Sequence, residues 1–542
     1  MVAADLVLVS GRLLDPVTGE LSPHSGLAAV EGRITLLGDD EACRTLAGPA
    51  TTVIDLHGAV VTPGLVDGHI HPVFGAERAV GIDLSQCANI SEIRDALTLG
   101  ARDAAPGTWL RGWGLDPNSF GVQTITAAAV GPIMEHFPVL LRLFDGHAML
   151  ASPPALAAAG IDGPRRFDET AEIVCDVEGH PTGLLLEGAA MALMDAVAPR
   201  LSDRELRDLI AGFFAGMAAT GLTGGHAMDA NGNSLAIYRD LDEVHRLAIR
   251  LRVSPWCRPP SASADDLAAL ISLQGARGRL WEVAGVKLFM DGTIDNGTAW
   301  LEHPDCFGNS TRGLWPDPEA YTNAVIALHR AGVPTATHAI GDAAVRHVLD
   351  TVARAGNETH RQLRHRVEHI ETIPDETVAR FARLGVTASM QPLHCTEFTR
   401  ADHSDNWSHR LGDERASRAW RCRDLLDAGA HVVLGSDWPI AASPPLGTMA
   451  GARHRRSSRD PSGAPHGSGQ RLTPLQALQG LTTAPAWAAG EEHEAGRLAV
   501  GYRADLAVFA ENPLSVTDDD LAEVPVMLTV LEGHPTYRDA SL

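Results

Sequence analysis

Two histidines, two residues apart, end the apolar run at 60–66 of this chain: Val66-Asp67-Gly68-His69-Ile70-His71. Alternate side chains of an extended strand share a face, so His69 and His71 can grip one metal ion together. A His-x-His pair alone carries little weight, because most such pairs hold no metal. This one has company. Lys287 ends the apolar run 283–286, His338 ends 333–337, His369 follows Arg366-Val367-Glu368, and Asp437 follows 431–436. Each is a potential metal ligand at the C-terminal end of a short β-rich run, where a (β/α)8 barrel keeps its chemistry. Together they read as the site of a metal hydrolase.

The elements that must position these residues can be read from the apolar pattern. Eight strand candidates occur in order, at 65–71, 220–228, 251–257, 284–290, 335–338, 366–369, 386–391 and 431–437, with helical stretches between them. Near-continuous apolar strands alternating with helices imply a parallel sheet, and eight units imply a closed barrel. Ser202-Asp203-Arg204-Glu205 has the pattern of a capping box at one helix start, and Pro374-Asp375-Glu376 opens another. A barrel of about 250 residues has roughly 31 per unit. The stretch from His71 to the second strand exceeds that by roughly 120 residues on the same arithmetic. A lid-like subdomain is therefore expected at 75–200, inserted after the first barrel strand and folded over the mouth. Both chain ends are β-rich, and 25–38 reads as a hairpin turning at Glu31-Gly32. Neither end is long enough to fold alone, so 1–60 and 490–542 are expected to form one small composite β-sandwich domain around the barrel at 61–489. The patch 453–470, basic and then rich in Gly, Pro and Ser, reads as a mobile loop.

Composition narrows the partners. The chain has 542 residues, 45% hydrophobic and 21% charged, with a net charge of -24, which are the proportions of an ordinary globular protein. An acidic surface disfavours nucleic acid and anionic membranes. The seven cysteines are scattered, odd in number and without a Cys-x-x-Cys pair, which argues for a reducing compartment. With no secretion signal and no apolar stretch of membrane-spanning length, the expected location is the cytoplasm. Association into a homodimer is left open.

The ordered motifs carry a resemblance. Pro63-Gly64-Leu65-Val66-Asp67-Gly68-His69-Ile70-His71, Lys287-Leu288-Phe289-Met290-Asp291-Gly292, His338-Ala339-Ile340-Gly341-Asp342, Arg366-Val367-Glu368-His369, Met390-Gln391-Pro392-Leu393-His394 and Gly435-Ser436-Asp437-Trp438-Pro439 resemble the amidohydrolase superfamily. Within it the chain is most similar to the YtcJ-like amidohydrolase 3 group, which includes N-substituted formamide deformylases. The tail at 496–506 resembles that group's return to its β domain, so the match spans essentially the whole chain.

The resemblance implies two divalent metals, usually zinc. His69 and His71 would hold the more buried ion, and His338 and His369 the more exposed one. Lys287 would bridge them as a carbamate, and Asp437 would bind the buried ion and serve as the catalytic acid/base. Glu187 is the alternative source of a bridging carboxylate. The activity implied is cleavage of a C–N bond in a small amide of the N-formyl or N-acyl amine type. A cyclic-amide hydrolase or an aminohydrolase is the runner-up, and a non-catalytic binding protein is a third reading. Trp113 and His147 in the insertion, with Asp291 and Gln391 near the mouth, are the candidate substrate-contacting or supporting residues. His226 reads as a supporting or packing residue, and His394, His403 and His409 as loop histidines.

Overall fold

A computed structural model describes residues 3–542 except 106, 122, 260–261, 357–362 and 458–461. At its centre, eight parallel strands follow one another around a barrel: Leu65–Ile70, Leu222–Ala230, Arg250–Cys257, Val286–Phe289, Thr335–Ala339, Arg366–His369, Thr387–Met390 and Val432–Leu434. Their runs of Val, Leu, Ile and Ala are buried, as strands covered on both faces require. The ring closes where the eighth strand's extension meets the first. Ile70 bridges Trp438, the Asp437 N–H donates to the His69 carbonyl at 2.8 Å, and the His71 N–H donates to the Trp438 carbonyl at 2.9 Å. The two chain segments that close the barrel are thus the ones that carry His69, His71 and Asp437.

Each strand candidate read from the sequence overlaps one of these strands, and those at 220–228, 251–257 and 335–338 miss one or two residues at an end. The fourth is shorter than expected. Trp281–Val283 first pairs with the start of the third strand, the backbone then turns through Gly285 at φ 109°, and Val286–Phe289 pairs with the third strand's end. Helix Asp203–Ala219 starts at a complete Ser202/Glu205 capping box and buries Leu206, Ile210, Phe214 and Met217 on one face.

Between the first and second barrel strands the chain builds a separate six-stranded sheet from Ile82–Asp83, Leu110–Leu115, Val139–Leu143, Ala148–Ala151, Glu172–Cys175 and Pro181–Leu186. This sheet has apolar clusters of its own, and it delivers the loop 144–147 and helix Glu187–Asp195 to the barrel mouth. Near the termini, Ala4–Val9, Gly26–Val30, Arg33–Gly38 and Ala47–Asp55 form a four-stranded sheet whose Glu31-Gly32 turn has both φ angles positive. A five-stranded sheet combines Arg12–Leu13 and Val60–Pro63 with Leu506–Phe509, Val526–Leu531 and His534–Arg538. Leu6, Leu8, Ile54 and Val61 from one end of the chain share a buried cluster with Leu506, Val508, Leu528 and Val530 from the other. Residues 458–461 of the expected loop at 453–470 lie outside the described residues; the helix Pro445–His454 precedes them. No helix among the described residues is long and apolar enough to cross a membrane, and all seven cysteines are free thiols.

Barrel closure leaves no room at Gly68. A Cβ there would come within 2.3 Å of Val433 Cγ1 and 2.7 Å of the Leu434 carbonyl oxygen. Because backbone must shift to relieve this, Gly68→Ala is expected to destabilise the fold by about 1–3 kcal/mol. Urea unfolding followed by circular dichroism measures the change.

Candidate metal centre

The six residues expected as metal ligands converge at the C-terminal mouth of the barrel and line one cavity of about 240 Å3, except for His69, which lies fully buried beneath it. Three donor atoms make a nearly equilateral triangle. His69 Nε2 and His71 Nε2 are 3.2 Å apart, Asp437 Oδ1 is 3.3 Å from the first, and it is 3.0 Å from the second. Tetrahedral coordination at zinc–ligand distances of about 2.0 Å places neighbouring donors about 3.3 Å apart. The triangle therefore has the size of one face of a four-coordinate ion. Lys287 Nζ stands 3.3 Å from His69 Nε2. His69, His369 and Asp437 also offer ligand atoms within 4.8 Å of one another.

The fit of a cation is tested by the donors' hydrogen bonding. His369 Nδ1 and His394 Nε2 are buried without hydrogen-bond partners, and Asp437 Oδ1 meets its two imidazoles without hydrogen-bond geometry. Buried polar atoms ordinarily find partners. A divalent ion would satisfy several of these at once, and nitrogen plus oxygen donors suit zinc. The other potential cluster among the described residues, Asp176, Glu178 and His180, is an exposed acidic turn.

Burial sets the protonation states. It lowers His69 to about 4, helped by Lys287, and pushes His338 and His369 well below the usual imidazole range, so their lone pairs are free at neutral pH. Lys287, fully enclosed, drops to about 8 for the same reason, which favours the neutral amine a carbamate needs. Burial alone would raise Asp437, but the imidazoles of His69, His71 and His394 outweigh it and hold the carboxyl well below its ordinary range.

The remaining candidates separate. His147 lines the pocket and shares a 2.8 Å hydrogen bond between its Nδ1 and Glu187 Oε2; its ring lies 4.9 Å from that of His338. Glu187, held in the left-handed region at φ 65°, thus faces His147, whereas Lys287 is the residue that touches the ligand triangle. Trp113 is placed elsewhere. It lines an adjoining cavity of about 720 Å3, and the insertion reaches the metal pocket instead through Phe144, His147 and the helix at Glu187–Asp195. Asp291 is fully buried and off the pocket surface. Its carboxylate accepts the backbone N–H groups of Trp300, Ile340 and Gly341 at 2.8–3.0 Å, tying together the loops after the fourth and fifth strands. Gln391 is also fully buried, off the pocket, with neither amide atom partnered. None of Trp113, Asp291 and Gln391 lines the metal pocket.

Sequence reasoning passed over His394. Its Nε2 is 3.7 Å from Asp437 Oδ2, and its ring lies parallel to His369 at 6.0 Å. The signal was available: Pro392 opens a helix immediately after the seventh strand, which places His394 in the first turn at the mouth. Also missed was an aromatic wall, His71–Phe74–Trp256–Phe289–His338, with successive ring centroids 5.2–5.8 Å apart. Its members come from four different barrel units, and no local pattern links them.

A profile of the amidohydrolase family matches residues 52–537. The chain belongs to the amidohydrolase family. Among its relatives, a putative amidohydrolase YtcJ of Bacillus subtilis is 28% identical over 496 residues, covering 90% of this chain and 91% of that one. An N-substituted formamide deformylase of Arthrobacter pascens is 27% identical over 518 residues, covering 94% of each. In fold, this amidohydrolase resembles an uncharacterized metal-dependent hydrolase of Pyrococcus horikoshii, with a TM-score of 0.72 at 23% identity over 95% of this chain and 99% of the other.

The geometry separates His394 from Trp113. His394→Ala is expected to lower kcat/KM by about 10–100-fold, the usual cost of losing a group that supports a metal-site residue. Trp113→Ala should change it far less. Steady-state kinetics of the two variants on one substrate decides the order.

Proposed function

We propose that this amidohydrolase is a metal-dependent enzyme that hydrolyses the C–N bond of a small neutral amide, of the N-formyl or N-acyl amine type. The observation that carries the reading is the 3.0–3.3 Å triangle of His69, His71 and Asp437 donors at the floor of the pocket at the barrel mouth. The formamide deformylase relative, which matches along nearly its whole length, supports the amide class.

His69, His71 and Asp437 would hold one divalent ion, and His338 and His369, with Lys287 as a bridging carbamate, a second; zinc is the metal proposed. Such ions make water a nucleophile near neutral pH and polarise a carbonyl. The rest falls to the chain. Asp437 stays ionised beside its imidazoles, so it can take a proton from the attacking water and deliver it to the departing nitrogen, which leaves poorly as an anion. Phe74, Trp256 and Phe289 wall the pocket and exclude bulk water from that transfer. His147, raised above its usual range because Glu187 outweighs the effect of burial, can donate a hydrogen bond to substrate oxygen. The free cysteines accord with a cytoplasmic setting.

Metal-replete enzyme offered N-formyl, N-acyl and cyclic amides should release a carboxylic acid and an amine from the acyclic ones, as followed by mass spectrometry. Ammonia release from an aminated heterocycle, with no turnover of amides, would overturn the substrate class in favour of an aminohydrolase. Asp437→Asn, assayed in preparations whose metal content matches the parent, should lose at least about 100-fold in kcat. Near-normal turnover would remove its role in proton transfer.

A further inference from the structure

Beneath the ligand triangle the barrel interior departs from its usual filling of branched apolar side chains. Glu368 and Arg366 alternate on the sixth strand and both point inward, at 0% and 7% exposure. Glu368 Oε2 is 2.6 Å from His69 Nδ1. An ionised carboxylate only accepts, so the proton sits on His69 Nδ1 and the Nε2 that faces His71 and Asp437 is bare.

Arg366 spends its guanidinium on fixing this contact. Its Nε donates to Glu368 Oε1 at 2.6 Å, and its Nη2 donates to Glu368 Oε2 at 3.0 Å. The same Nη2 reaches the Gly68 carbonyl at 2.7 Å and Ser389 Oγ at 2.8 Å. Gly68 directly precedes His69, so the arginine braces both the carboxylate that holds the ring and the backbone that carries it. Its Nη1 donates to His226 Nδ1 at 2.7 Å. That bond assigns the His226 proton to Nε2, on a residue lining a separate cavity at the N-terminal end of the barrel. The column therefore draws on the first, second, sixth and seventh strands.

Fold stability does not account for it. A buried ion pair costs desolvation on both partners, and well-packed apolar residues in its place are often neutral or stabilising. What an apolar layer could not do is fix one imidazole in one tautomer and one orientation.

We propose that Glu368 is the positioning residue of the metal centre: it orients His69 through Nδ1, with Arg366 and His226 as the brace that holds it. The inference rests on His69 being a metal ligand, as the function above requires. It gives His226, Arg366 and Glu368 a task in metal affinity rather than in substrate contact.

The test is cobalt(II) affinity of full-length protein, measured by competition with a chromogenic chelator, alongside the thermal midpoint of each metal-free variant. Glu368→Gln should bind cobalt(II) about 10–100-fold more weakly than the parent, the usual cost of losing a ligand's supporting partner. His226→Leu should also weaken binding, and His226→Asn, whose amide oxygen can accept from Arg366 as Nδ1 does, should recover most of the loss. Affinities of Glu368→Gln and His226→Leu within about twofold of the parent overturn the inference. So does a fall in metal-free midpoint with affinity unchanged, which is the signature of packing alone. If Glu368→Gln does not fold, the His226 pair decides. A parent that binds no cobalt(II) would instead defeat the metal-dependent function itself.

Discussion

Removal of water from the barrel mouth is the condition on which the rest of this structure depends. In water an imidazole is half protonated near pH 6.5, a lysine is cationic and a carboxylate is indifferent to either. Enclosed together here, the groups sort themselves. His69, His338 and His369 are neutral with lone pairs free, Lys287 approaches neutrality, and Asp437 keeps its charge, as does Glu368 beside Arg366. A lone buried carboxylate facing neutral nitrogens is costly unless a cation joins it. The electrostatics that protect the donors from protons are thus the electrostatics that suit a divalent ion.

Holding donors that close together takes a rigid frame, and the frame carries strain at the site itself. His369, Ile370 and Asp437 lie in the left-handed backbone region at φ 77°, 51° and 60°, as does Glu187. Each such non-glycine residue costs on the order of 1–3 kcal/mol and persists only where its surroundings over-determine it. For Asp437 those surroundings are the barrel's closing seam, where Asp437 and His71 exchange backbone hydrogen bonds with the opposite chain segment, and for Ile370 they include the end of the fifth strand, whose Ala339 carbonyl accepts its N–H at 3.2 Å. The seam that completes the fold also fixes the angle at which the ligands meet.

How much of this was legible in the chain depends on the range of the interaction involved. Barrel strands are local events, and five of the eight apolar runs end at a ligand-type side chain, so the strands and the residues that meet at the mouth could be read in order. The Glu31-Gly32 turn and the Ser202/Glu205 box were legible for the same reason. Trp113 was not, because which cavity a strand side chain faces depends on how the inserted sheet leans on the barrel. Asp291 and Gln391 stand beside ligands in sequence yet turn inward, Asp291 to satisfy three loop N–H groups. His394 looked like one loop histidine among several until the helix after the seventh strand gave it a direction. Glu368 was visible in the Arg366-Val367-Glu368-His369 motif, but its meaning depends on His69, 299 positions away.

The central claim, that this pocket is built around a metal ion, is tested most directly by anomalous diffraction from crystals of zinc-loaded protein. The account predicts a strong peak about 2.0–2.2 Å from His69 Nε2, His71 Nε2 and an Asp437 carboxylate oxygen. A peak confined to the exposed turn of Asp176, Glu178 and His180, with none at the barrel mouth, would contradict it.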